Sequence, residues 1–133
     1  MQPTREQIGW WVKQAQHEME VAESNFRAGY YDATALMCHQ AAEKMLKALY
    51  MTVKQMEAPK THVLPMLATA VGAPDEVLAV VGTLAEDYLT SRYPDTVGGV
   101  PYEQYESADA QRRLEAVGTV ARWVLGELSR QQT

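Results

Sequence analysis

The sequence is short of the features that mark several protein classes. Its 133 residues contain one cysteine, Cys38, so no internal disulfide can form, and the expected compartment is the cytoplasm. The N-terminus does not combine a basic start with an apolar run and a small-residue cleavage site, so no secretory signal is expected. Charged or polar residues break every apolar run short of the ~18 residues a membrane-spanning helix needs, which argues against a membrane protein. Basic residues are the minority charge. Twelve Lys and Arg against seventeen Asp and Glu leave a net charge of −5, a field that repels phosphate backbones unless a local basic patch overrides it. Internal repeats and low-complexity tracts are missing too, so Gly and Pro supply the punctuation.

What is present is helical periodicity. Thr4 and Gln7 stand in capping-box spacing before Ile8, Val12, Ala15, Met19, Ala22 and Phe26. These recur every three or four residues and predict one buried face of a helix over 5–27, stopped by Gly29. Asp32 is a suitable N-cap for a second helix over 32–57, with Ala35, Cys38, Ala42, Met45, Leu49 and Val53 as its stripe. The two form an antiparallel hairpin. After Pro59, Thr61 caps a short helix with Pro65 in its first turn, ending by Gly72. Pro74 opens a further helix whose stripe, Val77, Val81, Leu84, Tyr88 and Leu89, runs to residue 91. The stretch 93–107 holds Pro94, Gly98, Gly99 and Pro101, and is longer than the usual connection in a bundle. Ser107 caps the last helix, with Leu114, Val117, Ala121, Val124 and Leu128 as its apolar face. The expected fold is all-α, a single domain over 1–133 built as an up-and-down four-helix bundle with one additional short helix.

The chemistry-bearing residues narrow the function. Carboxylate-bridged metal bundles need Glu-x-x-His on two helices, and no Glu stands three residues before a His. His17-Glu18 begins a zinc-protease pattern, but Val21 fills the place of the second His. No metal site and no cofactor are expected. Cys38 lies on the apolar stripe, and Gly98-Gly99 lacks any phosphate-loop surroundings. His39 and Glu43, one turn apart, suit a hydrogen-bonded pair, and His62 suits a first-turn polar contact. Trp10, beside the first stripe, hints at a subunit contact.

Two features point to a ligand. Gln40, Glu43, Lys44 and Lys47 form a polar flank on the second helix, with Glu43 four residues before Lys47 in the favourable ion-pair order. Arg92 continues the row Val81, Ala85, Tyr88 and is expected at the bundle's mouth. There it either satisfies the carbonyls ending its helix or offers a bidentate fork to a phosphate or carboxylate. Tyr93, Tyr102 and Tyr105 bring aromatic faces on which a base can stack.

At these features the sequence resembles a known family. His39-Gln40-Ala41-Ala42-Glu43-Lys44, followed by Leu46-Lys47-Ala48-Leu49, is similar to the second-helix signature of HEPN domains. Tyr88-Leu89 with Ser91-Arg92-Tyr93-Pro94-Asp95, then Tyr102, Tyr105 and Ala108-Asp109-Ala110, resembles the family's segment between its last two long helices. Thr61-His62-Val63-Leu64 resembles its short middle helix. The resemblance implies a helical bundle, commonly a homodimer, often paired with a minimal nucleotidyltransferase in toxin-antitoxin operons. Many members are metal-independent endoribonucleases using an Arg and a His a few residues after it. Here Arg92 matches the Arg, but Val97, Gly98 and Gly99 occupy the places for the His, and no histidine follows His62. No catalytic residue is therefore assigned.

The resulting expectation is a non-catalytic nucleotide-binding or nucleotidyltransferase-partner module of a toxin-antitoxin kind. Its ligand-binding residues are Arg92, Lys44, Lys47, Glu43, Gln40, Tyr88, Tyr93 and Asp95. One alternative is a ribonuclease that couples Arg92 to a displaced His39 or His62, with RNA as ligand. The other is a protein-protein scaffold.

Overall fold

The structure, a computed structural model, describes residues 2–131. Helix α1 (Arg5–Ala28) begins at the expected capping box. The Thr4 hydroxyl accepts from the Gln7 N–H, and the Gln7 side chain accepts from the Thr4 N–H. Gly29 ends the helix in the left-handed region at φ 86°. An alanine Cβ at this glycine meets no neighbour within 4 Å, so Gly29→Ala isolates backbone strain. It is expected to lower stability by about 1 kcal/mol, seen as a lower urea midpoint at unchanged slope.

Helix α2 (Tyr31–Lys54) runs back along α1 and carries the largest share of the core. Asp32 lies inside its first turn rather than at the N-cap, which is Tyr30, and the helix stops at Gln55 with φ 55°. Val53, expected on the buried stripe, is 42% exposed, because it lies in the last turn, beyond the helices that cover α2. Elsewhere α2 packs against α1 and against several later helices of the chain, so residues on several of its sides are buried. Ala35, Ala41, Ala42 and Ala48 have no accessible surface, and their small side chains let neighbours approach closely.

Helix α3 (Leu64–Ala70) starts later than expected. Val63 is its N-cap, while the Thr61 hydroxyl accepts from the Val63 N–H in the turn before it. Helix α4 (Asp75–Leu84) follows Pro74 but does not continue to residue 91. It breaks at Ala85 and Glu86, and a single turn, α5 (Asp87–Thr90), resumes the chain. The physical reason is visible at Leu84, whose carbonyl accepts from the buried His39 ring at 2.8 Å. The break frees that carbonyl to satisfy an imidazole with no accessible surface. Leu89 is correspondingly off the stripe and 49% exposed. The long connection contains two further turns, α6 (Pro94–Val97) and a 3-10 turn (Pro101–Gln104).

Helix α7 (Ser107–Gln131) closes the bundle against α2 and α4. Ser107 is its first residue, and the Asp109 carboxylate accepts from the Glu106 N–H at the helix start. One cluster joins Ala15 and Ala22, Met45 and Leu49, Leu64 and Leu67, Val77 and Leu84, Val117 and Val124. Full burial of each large side chain contributes roughly 1.5–3 kcal/mol. The architecture is the expected all-α bundle. Among the described residues no helix is long and apolar enough to cross a membrane.

Candidate functional site

The polar flank of α2 is not a solvated face. Glu43 and Lys47 are 8% and 6% exposed, and Lys47 Nζ donates to Glu43 Oε2 at 3.0 Å. The other oxygen, Oε1, accepts from His62 Nδ1 at 2.8 Å. That bond leaves Nε2 as the free nitrogen of an imidazole whose side chain is half exposed. His62 therefore has the setting of an oriented, solvent-accessible acid-base group.

The His62 ring also stacks on Tyr88, with centroids 4.0 Å apart and planes 15° apart. The Arg92 guanidinium carbon lies 4.2 Å from the same Tyr88 centroid. Imidazole and guanidinium thus both lie against the one tyrosine ring. Arg92 Nε donates to the Tyr88 carbonyl at 2.9 Å, and Tyr93 lies 5.1 Å away on a second side. Among the described residues no carboxylate pairs with Arg92.

Arg92 is exposed. A cleft of about 800 Å³ lies near the ends of α1, α2 and α7, and one of about 490 Å³ lies between α4, α5 and α7; Arg92 lines neither. The row Val81, Ala85, Tyr88 is interrupted by the break before α5, which turns Arg92 onto the outer face.

The expected site residues separate into two groups. Glu43, Lys47, Tyr88, Arg92 and Tyr93 come together with His62. Lys44 does not join them. Its Nζ bonds Glu18 on α1 at 3.0 Å, and Gln14 holds the same carboxylate. Gln40, one turn before Lys44, is half-buried on α2. Asp95 is exposed in α6, three residues beyond Arg92. Lys47 is present, with its charge matched by the Glu43 carboxylate. The sequence suggests only a first-turn polar contact for His62, or a displaced role beside Arg92; its bond to Glu43 joins residues 19 positions apart and is not legible there.

His39 lies beneath this cluster with no accessible surface. Because a carbonyl can only accept, its Nδ1 carries the hydrogen shared with Leu84. Nε2 has no partner among the described residues and stands 3.8 Å from Glu43 Oε1, an ion-pair distance and not the expected hydrogen bond. Burial holds the His39 pKa below 6.5, opposed by the Leu84 bond and the Glu43 charge. An imidazole whose folded pKa lies below its unfolded value binds fewer protons when folded. Its contribution is whole above pH 6.5 and is lost as pH falls from there. Stability should therefore decline on mild acidification, with a shallower slope in His39→Asn, checked by urea midpoints across pH.

A second network fixes the ends of the Arg92 connection. Asp87 is 2% exposed and accepts from Arg113 Nε at 3.0 Å and from the Tyr105 hydroxyl at 2.8 Å. The Thr90 hydroxyl is 2.7 Å from the same Tyr105 oxygen. Burial raises the Tyr105 pKa, so the phenol stays a donor. The Arg113 pKa is raised as well; burial opposes this, but the Asp87 bond and charge outweigh it. Cys38 is pushed up to about 12 by burial and then by the Asp87 charge, which leaves the thiol unreactive.

Comparison with known proteins places this geometry among related folds. A family model described as the HEPN domain matches residues 8–128. No functionally curated protein matches the chain. TT1696 from Thermus thermophilus is 23% identical, with a TM-score of 0.81, over 90% of this chain and 96% of that one. ST0689, an archaeal HEPN homologue, is 30% identical with a TM-score of 0.79, over 90% and 96%.

Proposed function

The chain belongs to the HEPN domain family, and from that premise we propose that it is a nucleotide-binding module in which Arg92 anchors a phosphate. The observation that carries this reading is the guanidinium itself. It is fixed by the Tyr88 carbonyl, lies against the Tyr88 and Tyr93 rings, and is unpaired with any carboxylate among the described residues. A fixed, unpaired guanidinium offers two parallel donors to a phosphate. Tyr93 supplies a neighbouring ring for a base.

The module acts in the cytoplasm as a homodimer, within a toxin-antitoxin pair whose other member is a minimal nucleotidyltransferase. The exposure of Arg92 supports this assembly, since a second copy or the partner would pack against it. The binding test is titration of the purified protein with a nucleoside monophosphate. Saturable binding that weakens as salt rises is expected; no saturable binding of any nucleotide would overturn the proposal.

One observation favours a second reading, that of a metal-independent ribonuclease. His62, held by Glu43, shares the Tyr88 ring with Arg92, so an imidazole returns to the neighbourhood of the arginine from a different segment. Its free Nε2 has the placement of a general base for a ribose 2′-hydroxyl, with Arg92 on the phosphate. Cleavage of single-stranded RNA in EDTA, lost in His62→Ala, selects this reading. Binding without cleavage selects the first.

A further inference from the structure

We infer that His39 is a positioning residue for His62, acting through the one Glu43 oxygen that both imidazoles face. When His39 Nε2 takes up a proton, it draws Glu43 Oε1 toward itself and loosens the bond that orients His62.

Both oxygens of Glu43 are engaged, Oε2 by Lys47 at 3.0 Å and Oε1 by His62 at 2.8 Å. His39 Nε2 is 3.8 Å from Oε1 and fully buried. The Leu84 carbonyl keeps the ring hydrogen on Nδ1, so in the neutral ring a lone pair on Nε2 faces the lone pairs of the carboxylate. Only a proton makes that contact attractive, and a charge-assisted bond then closes it by roughly 1 Å.

The groups facing His39 leave Glu43 as the responsive one. From α4 there is the Leu84 carbonyl, already an acceptor; from α5 there are Asp87 and Tyr88; ahead of α3 there is His62. Asp87 is held by Arg113 and Tyr105. Lys47 moves with Glu43, one turn further along α2. His62 is the least buried member, so it is the one that yields. Its release uncovers the part of the Tyr88 ring on which His62 stacks, while Arg92 stays against the same ring.

The consequence for ligand binding rests on the Arg92 face being the ligand site, but the exchange itself is measured without ligand. A failed nucleotide titration therefore leaves the following experiment intact. The chain has three histidines, His17, His39 and His62, and His17 is exposed on α1, away from the cluster. Ring 15N spectra of the full chain are followed from neutral to mildly acidic pH. At neutral pH His39 is expected as the Nδ1–H tautomer with a bare Nε2. As His39 titrates, solvent exchange of the His62 Nδ1–H should accelerate roughly threefold or more, the low end of what one lost hydrogen bond allows. His39→Asn keeps a donor for Leu84 and lacks the second nitrogen, so the acceleration should vanish. A His39 carrying its proton on Nε2 at neutral pH overturns the inference, and so does an acceleration that persists in His39→Asn. Should that variant not fold, the wild-type tautomer still decides.

Discussion

Arg92→Ala is expected to raise the Kd for a nucleoside monophosphate roughly a hundredfold, by removing two charge-assisted hydrogen bonds of about 1.5 kcal/mol each. The folded state should be nearly untouched. Arg92 is exposed, and among the described residues its side chain has one hydrogen bond, to the Tyr88 carbonyl. Losing it and an exposed contact with two rings costs about 1 kcal/mol. Helical content and the urea slope should stay at wild-type values, which separates a lost ligand contact from a damaged bundle. Arg92→Lys is the sharper comparison. A lysine keeps the charge but not the planar fork, so affinity should return only in part. Wild-type affinity in Arg92→Ala would remove the site and leave a scaffold whose arginine merely closes a helix turn.

Asp87→Ala should lower stability by about 3–5 kcal/mol. Its carboxylate is 2% exposed and joins three separate stretches of chain. It lies on α5, bonds Arg113 on α7, and bonds Tyr105 at the end of the connection that follows Arg92. Removing it takes the closest carboxylate from a largely buried guanidinium, which keeps Asp109, and the acceptor from a buried phenol, which keeps Thr90. Against a typical total of about 5–15 kcal/mol, that is roughly a fifth of the stability or more. The measurement is the urea midpoint at unchanged slope. Pairing Asp87→Ala with Arg113→Leu should cost less than the sum of the two, because the second change removes the charge left without its closest carboxylate. A loss below about 1 kcal/mol in Asp87→Ala would mean that water takes the place of the carboxylate. Nucleotide affinity should also fall in Asp87→Ala, since α5 and Tyr105 brace the segment from Arg92 to the 3-10 turn.

Much of the bundle is legible along the chain. Thr4, Gln7 and Gly29 act within a few residues of themselves, and the stop and start signals for α1 are found where the residue types put them. The apolar repeat likewise selects α2 and α7. The expected stripe fails at Val53 and Leu89, where the covering helix ends or the ladder breaks. The break at Ala85 could not be read from Val77, Val81, Leu84 and Tyr88, whose spacing is compatible with one continuous helix. It depends on His39, 45 residues earlier, reaching the Leu84 carbonyl.

The site divides in the same way. Arg92 and Tyr93 are neighbours in sequence, and Tyr88 is one turn before, so their association follows from local helical geometry. The exposure of Lys44 and Lys47 does not. A polar flank on a helix is solvated only if nothing packs on it, and here α1 supplies Glu18 for Lys44 while Glu43 and Lys47 are enclosed together.

The sequence by itself determined the helical periods, the caps of α1, and the presence of an arginine with aromatic neighbours after the third long helical segment. Tertiary structure alone decided that an imidazole from the turn before α3 meets Glu43 and covers Tyr88. It also decided that Asp87 anchors both ends of the Arg92 connection. The physical reason is range. Hydrogen bonding and side-chain periodicity in a helix act over three or four residues, whereas these contacts require the rotational phase of several packed helices to agree to within the length of a hydrogen bond.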